Sequence, residues 1–219
     1  MTTDHYYVIV MDIIRSTKLK DRDKLTHQLT SSMDEVNLVY KQDFFAPFEI
    51  TRGDEFAAVL LQINNLYEIV KTFQKTLSPI EFRTVVAYGE LNAGLKSRQS
   101  SIIDGPAFQH ADSMMHNLKK TLMPFSIDTG LKDWDCITQA VLNLLLWRWI
   151  GFTPLQQKII RLYQQLRNQK KVANEIDRSQ QQVQATLESC RWELINEAEN
   201  SLQDALRVIE EKVKIRKSM

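Results

Sequence analysis

Asp12 and Asp54 are the residues in this chain whose types and placement could do chemistry together. Asp12 ends an apolar run, Tyr6 to Met11, and Asp54 stands in the turn Arg52-Gly53-Asp54-Glu55 that opens another, Phe56 to Leu61. Two carboxylates at one spot repel unless a proton or a cation joins them, and Mg²⁺ takes such oxygens together with substrate phosphates. A site of that kind serves phosphoryl chemistry, activating a hydroxyl and holding the leaving phosphates. Glu55 is a further ligand, or points away, since strand neighbours face opposite sides. Arg15, Ser16 and Thr17 come directly after this strand end, and their amides at the start of a turn could cradle phosphate; a solvated loop accounts for them equally well. By residue type alone the plainer account prevails: Gly-Asp makes a turn, and Asp12 caps the segment after it.

These residues need elements to hold them. The run Tyr6 to Met11 is nearly all apolar, as in a central strand covered on both faces. Leu25, Leu29, Met33, Val36 and Tyr40 predict a helix over about Lys24 to Tyr40. Phe44 to Thr51 and Phe56 to Leu61 predict a hairpin around the Gly53-Asp54 turn. Leu66, Ile69, Val70, Phe73 and Leu77 give a second helix that stops before Pro79, and Phe82 to Tyr88 is another strand. A third helix starts at Gly105-Pro106 and runs to Lys120, with a short strand at Phe125 to Ile127 behind it. The order β-α-β-β-α-β predicts an α+β, ferredoxin-like domain. On the third helix His110, Asp112 and His116 offer no zinc site, because only Asp112 and His116 share a face.

After Gly130 glycine nearly vanishes, glutamine becomes abundant and strand-like runs end. The expected division is an α+β domain over 1–130 and an all-α region over 131–219. Helices are predicted at Trp134 to Ile150, Pro154 to Leu166, Lys170 to Ile176 and Ser179 to about Lys214. The last begins with a capping box, Ser179 to Gln182, buries Val183, Leu187, Cys190 and Leu194, and leaves Gln180, Gln181, Gln184 and Glu188 outward. Glutamines there can bond adenine edges. From Arg148 to Arg178 seven basic residues stand against two acidic ones, 7 − 2 = +5, so Lys170, Lys171, Arg178 and Ser179 join those glutamines as candidate contacts to double-stranded DNA. The competing reading is a helical bundle for packing or assembly. Leu202, Ala205, Leu206, Ile209 and Val213 keep helical register, which suggests a partner helix and a homodimer.

Composition narrows the class. The 219 residues are 43% hydrophobic and 25% charged, enough for a core in a soluble protein, and the net charge of +1 favours no partner by itself. Cys136 and Cys190 lack zinc or redox spacing and fit a reducing cytoplasm. No leader with a basic start is expected, and the apolar stretch Ala140 to Ile150 is interrupted by Asn143 and Arg148, too short for a bilayer.

Three motifs carry a resemblance. Val10-Met11-Asp12-Ile13-Ile14-Arg15-Ser16-Thr17 is similar to the first-strand motif of class III nucleotidyl cyclases, and Arg52-Gly53-Asp54-Glu55-Phe56 to their second and to the turn of GGDEF diguanylate cyclases. Asp104-Gly105-Pro106-Ala107-Phe108-Gln109-His110-Ala111 resembles the helix start after the later cyclase strand. The whole layout most closely resembles the SatD family, over essentially the full chain, and Thr153 to Trp192 resembles the tri-helical DNA-binding segment of sigma-factor and LuxR-type regulators. The resemblance implies Asp12 and Asp54 as Mg²⁺ ligands, and Arg15, Ser16, Thr17, Arg52, Gly53, Glu55, Gln109 and His110 as a nucleotide site. Two departures count against cyclisation. Gln109 and Ser113 stand where active cyclases carry an asparagine and an arginine, and Arg52 replaces the first GGDEF glycine. The expectation is a cytoplasmic DNA-binding regulator with a degenerate nucleotide- or metal-sensing domain; the alternative is a Mg²⁺-dependent nucleotidyl cyclase or other phosphoryl-transfer enzyme.

Overall fold

β1 (Asp4–Ile13) is the middle strand of a five-stranded sheet in the computed structural model, which describes residues 4–16 and 21–217. Around it lie β2 (Phe44–Arg52), β3 (Glu55–Leu60), β4 (Phe82–Leu91) and β5 (Phe125–Asp128), in the order β2-β3-β1-β4-β5. Neighbours are antiparallel except β4 and β5, which run parallel. With α1 (Arg22–Val39) and α2 (Leu66–Leu77), the first four strands follow the split β-α-β-β-α-β order read from the sequence.

Alternation along β1 assigns its two faces. Val8 and Val10 join Ala57, Val59, Val85 and Ala87 under Ala107, Ala111, Met115 and Leu118 of α3 (Pro106–Leu118). On the reverse face Met11 stands beside Phe56, which packs on Phe73 of α2 with ring centroids 5.2 Å apart. Helices on both sides explain why β1 reads as an unbroken apolar run.

The remaining helices are α4 (Lys132–Ile150), α5 (Pro154–Leu166), α6 (Gln169–Glu175), α7 (Gln180–Ser189) and α8 (Trp192–Lys217). The chain forms two compact units, one reaching to Asn143 and resuming at Gln203, the other spanning Leu144–Leu202. That division differs from a cut after Gly130, and polar side chains explain it. The Asn143 amide accepts from Phe125 N and donates to Phe125 O, each at 3.0 Å, while Asp135 Oδ2 accepts Thr129 N at 2.9 Å. Glu210 of α8 accepts Ile63 N at 3.0 Å, and Gln203 donates to Asn64 O. Both ends of the helical region thereby join the sheet-bearing unit.

One further expectation is corrected. The helix predicted from Ser179 to Lys214 is broken, because Arg191 takes a left-handed φ of +54° between α7 and α8. Past that break the buried face shifts: Trp192 and Ile195 are buried, whereas Leu194 is 66% exposed. The stripe Leu202, Leu206, Ile209 and Val213 is buried within this one chain. Among the described residues no helix is long and apolar enough to cross a membrane.

Candidate functional site

Asp12 lies on the face of β1 that bears α3, one residue from the strand end. In register it stands opposite Glu55 of β3 on one side and Arg83 of β4 on the other. Residues opposite one another in a sheet share a face, so a Glu55–Asp12–Arg83 row crosses three strands. Its side chain is only 10% exposed, and Lys119, just beyond α3, approaches with Nζ 2.7 Å from Oδ1 while Arg83 Nη1 is 3.7 Å from Oδ2. Strand alternation signals Arg83; nothing in the sequence singles out Lys119.

Glu55, not Asp54, faces Asp12, because Gly53 and Asp54 form the two-residue turn and Glu55 is the first paired residue behind it. Gly53 has φ +62° with open space around its Cα, so it serves the turn geometry. A divalent ion at Asp12 would need carboxylate oxygens that are now engaged by two cationic side chains. Among the described residues no group of three or more His, Cys, Asp or Glu is arranged to hold a metal ion. As folded, Asp12 is paired by an ammonium and a guanidinium group.

Electrostatics mark Glu55 as the least comfortable member. Burial pushes its carboxyl up from the ordinary value; Lys119 draws it back, Asp112 and Asp12 push it further, and Arg52 draws it back again. Burial and then the charge of Asp104 raise Asp112 as well, with Arg52 and Lys119 opposing. A carboxyl raised in the folded state contributes stability below its unfolded value of 4.5, and that contribution is lost as pH rises through the folded value. Glu55→Gln is therefore expected to raise the melting temperature at pH 7 and to lose that advantage at pH 4, read by circular dichroism. A lower melting temperature at pH 7 would contradict the assignment.

The other expected nucleotide contacts do not converge on Asp12. Arg15 is exposed in a turn at φ +58°, Ser16 beside it is half-buried, and Thr17 lies outside the described residues. Arg52 is exposed beside the turn and acts electrostatically on Glu55 and Asp112. Gln109 and Ser113 are exposed and joined by a Ser113 Oγ to Gln109 O bond of 3.0 Å. His110 is separated from this group: its Nε2 lies 2.8 Å from Asp128 Oδ2 at the end of β5. Residues 110 and 112 differ by about 200° around a helix, which sends them to opposite sides.

In the second unit α5, α6 and α7 pack on one another around buried Ile159, Ile160, Val172, Ala173, Val183 and Leu187. Four residues, Ile176 to Ser179, connect α6 to α7, with Asp177 at φ +52° where glycine is common. Lys170, Lys171, Arg178, Gln180 and Gln181 lie around this connection, and all are exposed. Ser179 is occupied as the α7 cap, accepting Gln182 N at 3.2 Å, and Gln184 donates to Glu188 at 2.9 Å. The basic surface is also smaller than the count of seven, because Arg161 is half-buried with its guanidinium lowered by desolvation and Arg148 lies 4.4 Å over the Phe152 ring.

Residues 6–201 match the family model described as the SatD family. No curated protein matches the chain. Among solved structures, a bacterial light-regulated adenylyl cyclase aligns at 15% identity and a TM-score of 0.42, over 60% of this chain and 79% of that one.

Proposed function

The chain belongs to the SatD family, and from that premise we propose that it is a DNA-binding regulator whose α+β unit is a degenerate, cyclase-like sensor of a nucleotide or a cation. The observation that carries the reading is the α6–turn–α7 segment, a helix-turn-helix in this view. Its small first-helix residue Ala173 is buried, and Lys170, Lys171, Arg178, Gln180 and Gln181 stand exposed around the turn and the start of α7. A helix presenting glutamines at its N-terminal end, flanked by cations, suits base edges in a major groove with phosphates on either side. Fluorescence anisotropy with duplex DNA over a salt series tests it. Binding should weaken linearly in log–log form as salt rises, and no binding at low salt would refute it.

A second reading, Mg²⁺-dependent phosphoryl transfer, draws on one observation: Asp12 faces Glu55 across adjacent strands. For a metal to use them, Lys119 must leave. Lys119→Met is accordingly expected to tighten Mn²⁺ binding by roughly tenfold, followed by paramagnetic broadening or calorimetry. Lys119 is 42% exposed, so its removal should cost little stability. Unchanged, weak Mn²⁺ binding in the variant would remove the metal reading.

A further inference from the structure

The sheet-bearing unit has a cleft of about 470 Å³ at the end of β1 remote from Asp12. His5 lies at that end, and the strand between it and Asp12 is roughly 23 Å long. The cleft is lined by His5 of β1, Tyr88 of β4, His110 of α3, Asp128 and Gly130 at the end of β5, and Arg216 of α8. Its size suits a small organic ligand.

Charge decides which one. Asp128 is the acidic residue of the lining, and both its oxygens are engaged: Oδ2 with His110 Nε2 at 2.8 Å, Oδ1 with Gly130 N–H at 3.0 Å. Arg216 makes no ion pair among the described residues. Its guanidinium rests on the backbone of Gly130, where an added Cβ would come within 2.7 Å of Nη1. The aromatic side of the cleft is the pair His5 and Tyr88, with ring centroids 5.7 Å apart. Burial and then the charge of Glu210 push the Tyr88 phenol up, so it remains a neutral hydrogen-bond donor. Glu210 itself is paired by Lys214 Nζ at 3.3 Å.

An unpaired guanidinium, an imidazole held by a carboxylate and a neutral phenol together match a phosphoryl group, whose oxygens accept the paired N–H groups of arginine. The planar rings beside them suit a flat ligand body. We propose that this cleft binds a small phosphate monoester bearing a planar ring, with Arg216 and His110 on the phosphate and the ring against His5 and Tyr88.

The test is calorimetric titration of the full chain at low ionic strength with inorganic phosphate and with adenosine monophosphate. Both should bind, the nucleotide more tightly. Arg216→Gln should weaken both by about tenfold or more, the loss expected for one charge-assisted pair. His110→Asn should weaken them less, and Lys24→Gln with Lys75→Gln should leave them unchanged. All four side chains are exposed, so circular dichroism should show an unaltered fold. No heat with either probe at millimolar concentration overturns the proposal. So does a loss that tracks Lys24 and Lys75 instead of Arg216. Equal affinity for the two probes overturns the ring contact.

Discussion

Replacing Lys170, Lys171 and Arg178 together by glutamine is expected to weaken duplex-DNA binding by roughly a hundredfold near physiological salt. Lys170, Lys171 and Arg178 are exposed, and no carboxylate pairs with any of them among the described residues. Each phosphate contact contributes about −0.9 to the slope of log affinity against log salt, so the variant's slope should be shallower by about three. The fold should survive, because the buried side chains of α6 and α7 are Val172, Ala173, Val183 and Leu187. Gln180→Ala with Gln181→Ala should behave differently. Loss of base-edge bonds costs about 1–3 kcal/mol per bidentate contact and relaxes sequence preference, while the salt slope stays as it was. Anisotropy over several salt concentrations, with two unrelated duplexes, separates the two effects. A triple variant with the parent's slope would show that these cations do not meet phosphate.

Phe73→Ala is expected to destabilise the sheet-bearing unit by about 3–5 kcal/mol. Phe73 is fully buried, and its ring lies 4.9 Å from Phe48, 5.2 Å from Phe56 and 6.3 Å from Phe82. Its removal opens a cavity under the sheet and dissolves three aromatic contacts at once, against a total stability of about 5–15 kcal/mol for a typical domain. Thermal melts should show the transition of this unit falling by roughly ten degrees. Phe73→Leu, which keeps much of the volume, should cost far less. A fall of only a degree or two for the alanine variant would contradict the packing of α2 on the sheet.

The sheet was legible because its signals are local. Tyr6 to Met11 is apolar on both faces because helices cover both, and the Gly53-Asp54 turn is set by a left-handed glycine. The capping boxes at Thr153 and Ser179 likewise announce helix starts through residues three apart. Helix ends were less visible. The break at Arg191 carries no proline or glycine, so the apolar period runs on through Leu194.

The candidate site was legible in part. Asp12 stood out as a charge ending an apolar strand, but its partner depended on register. Moving the pairing by one residue exchanges Asp54 for Glu55, because successive strand residues face opposite sides. Lys119 is far from Asp12 in sequence and meets it only because α3 crosses the sheet toward that end of β1. His110 parted from Gln109 and the Arg52 turn for a similar reason: helix phase turns it toward β5.

By itself the sequence determined the α+β unit with its order of elements, the helical region behind it, and the residues bearing charge. Those arise from periodicity, turn chemistry and capping, which act over a few residues. Only the tertiary structure decided which charges meet. It gave Asp12 an ammonium and a guanidinium for neighbours, returned α8 to the sheet through Glu210, and set Arg216, without an ion pair among the described residues, over a cleft lined by His5 and His110. Such meetings depend on strand register and on contacts between residues distant in the chain, and these are settled when the sheet and its helices pack.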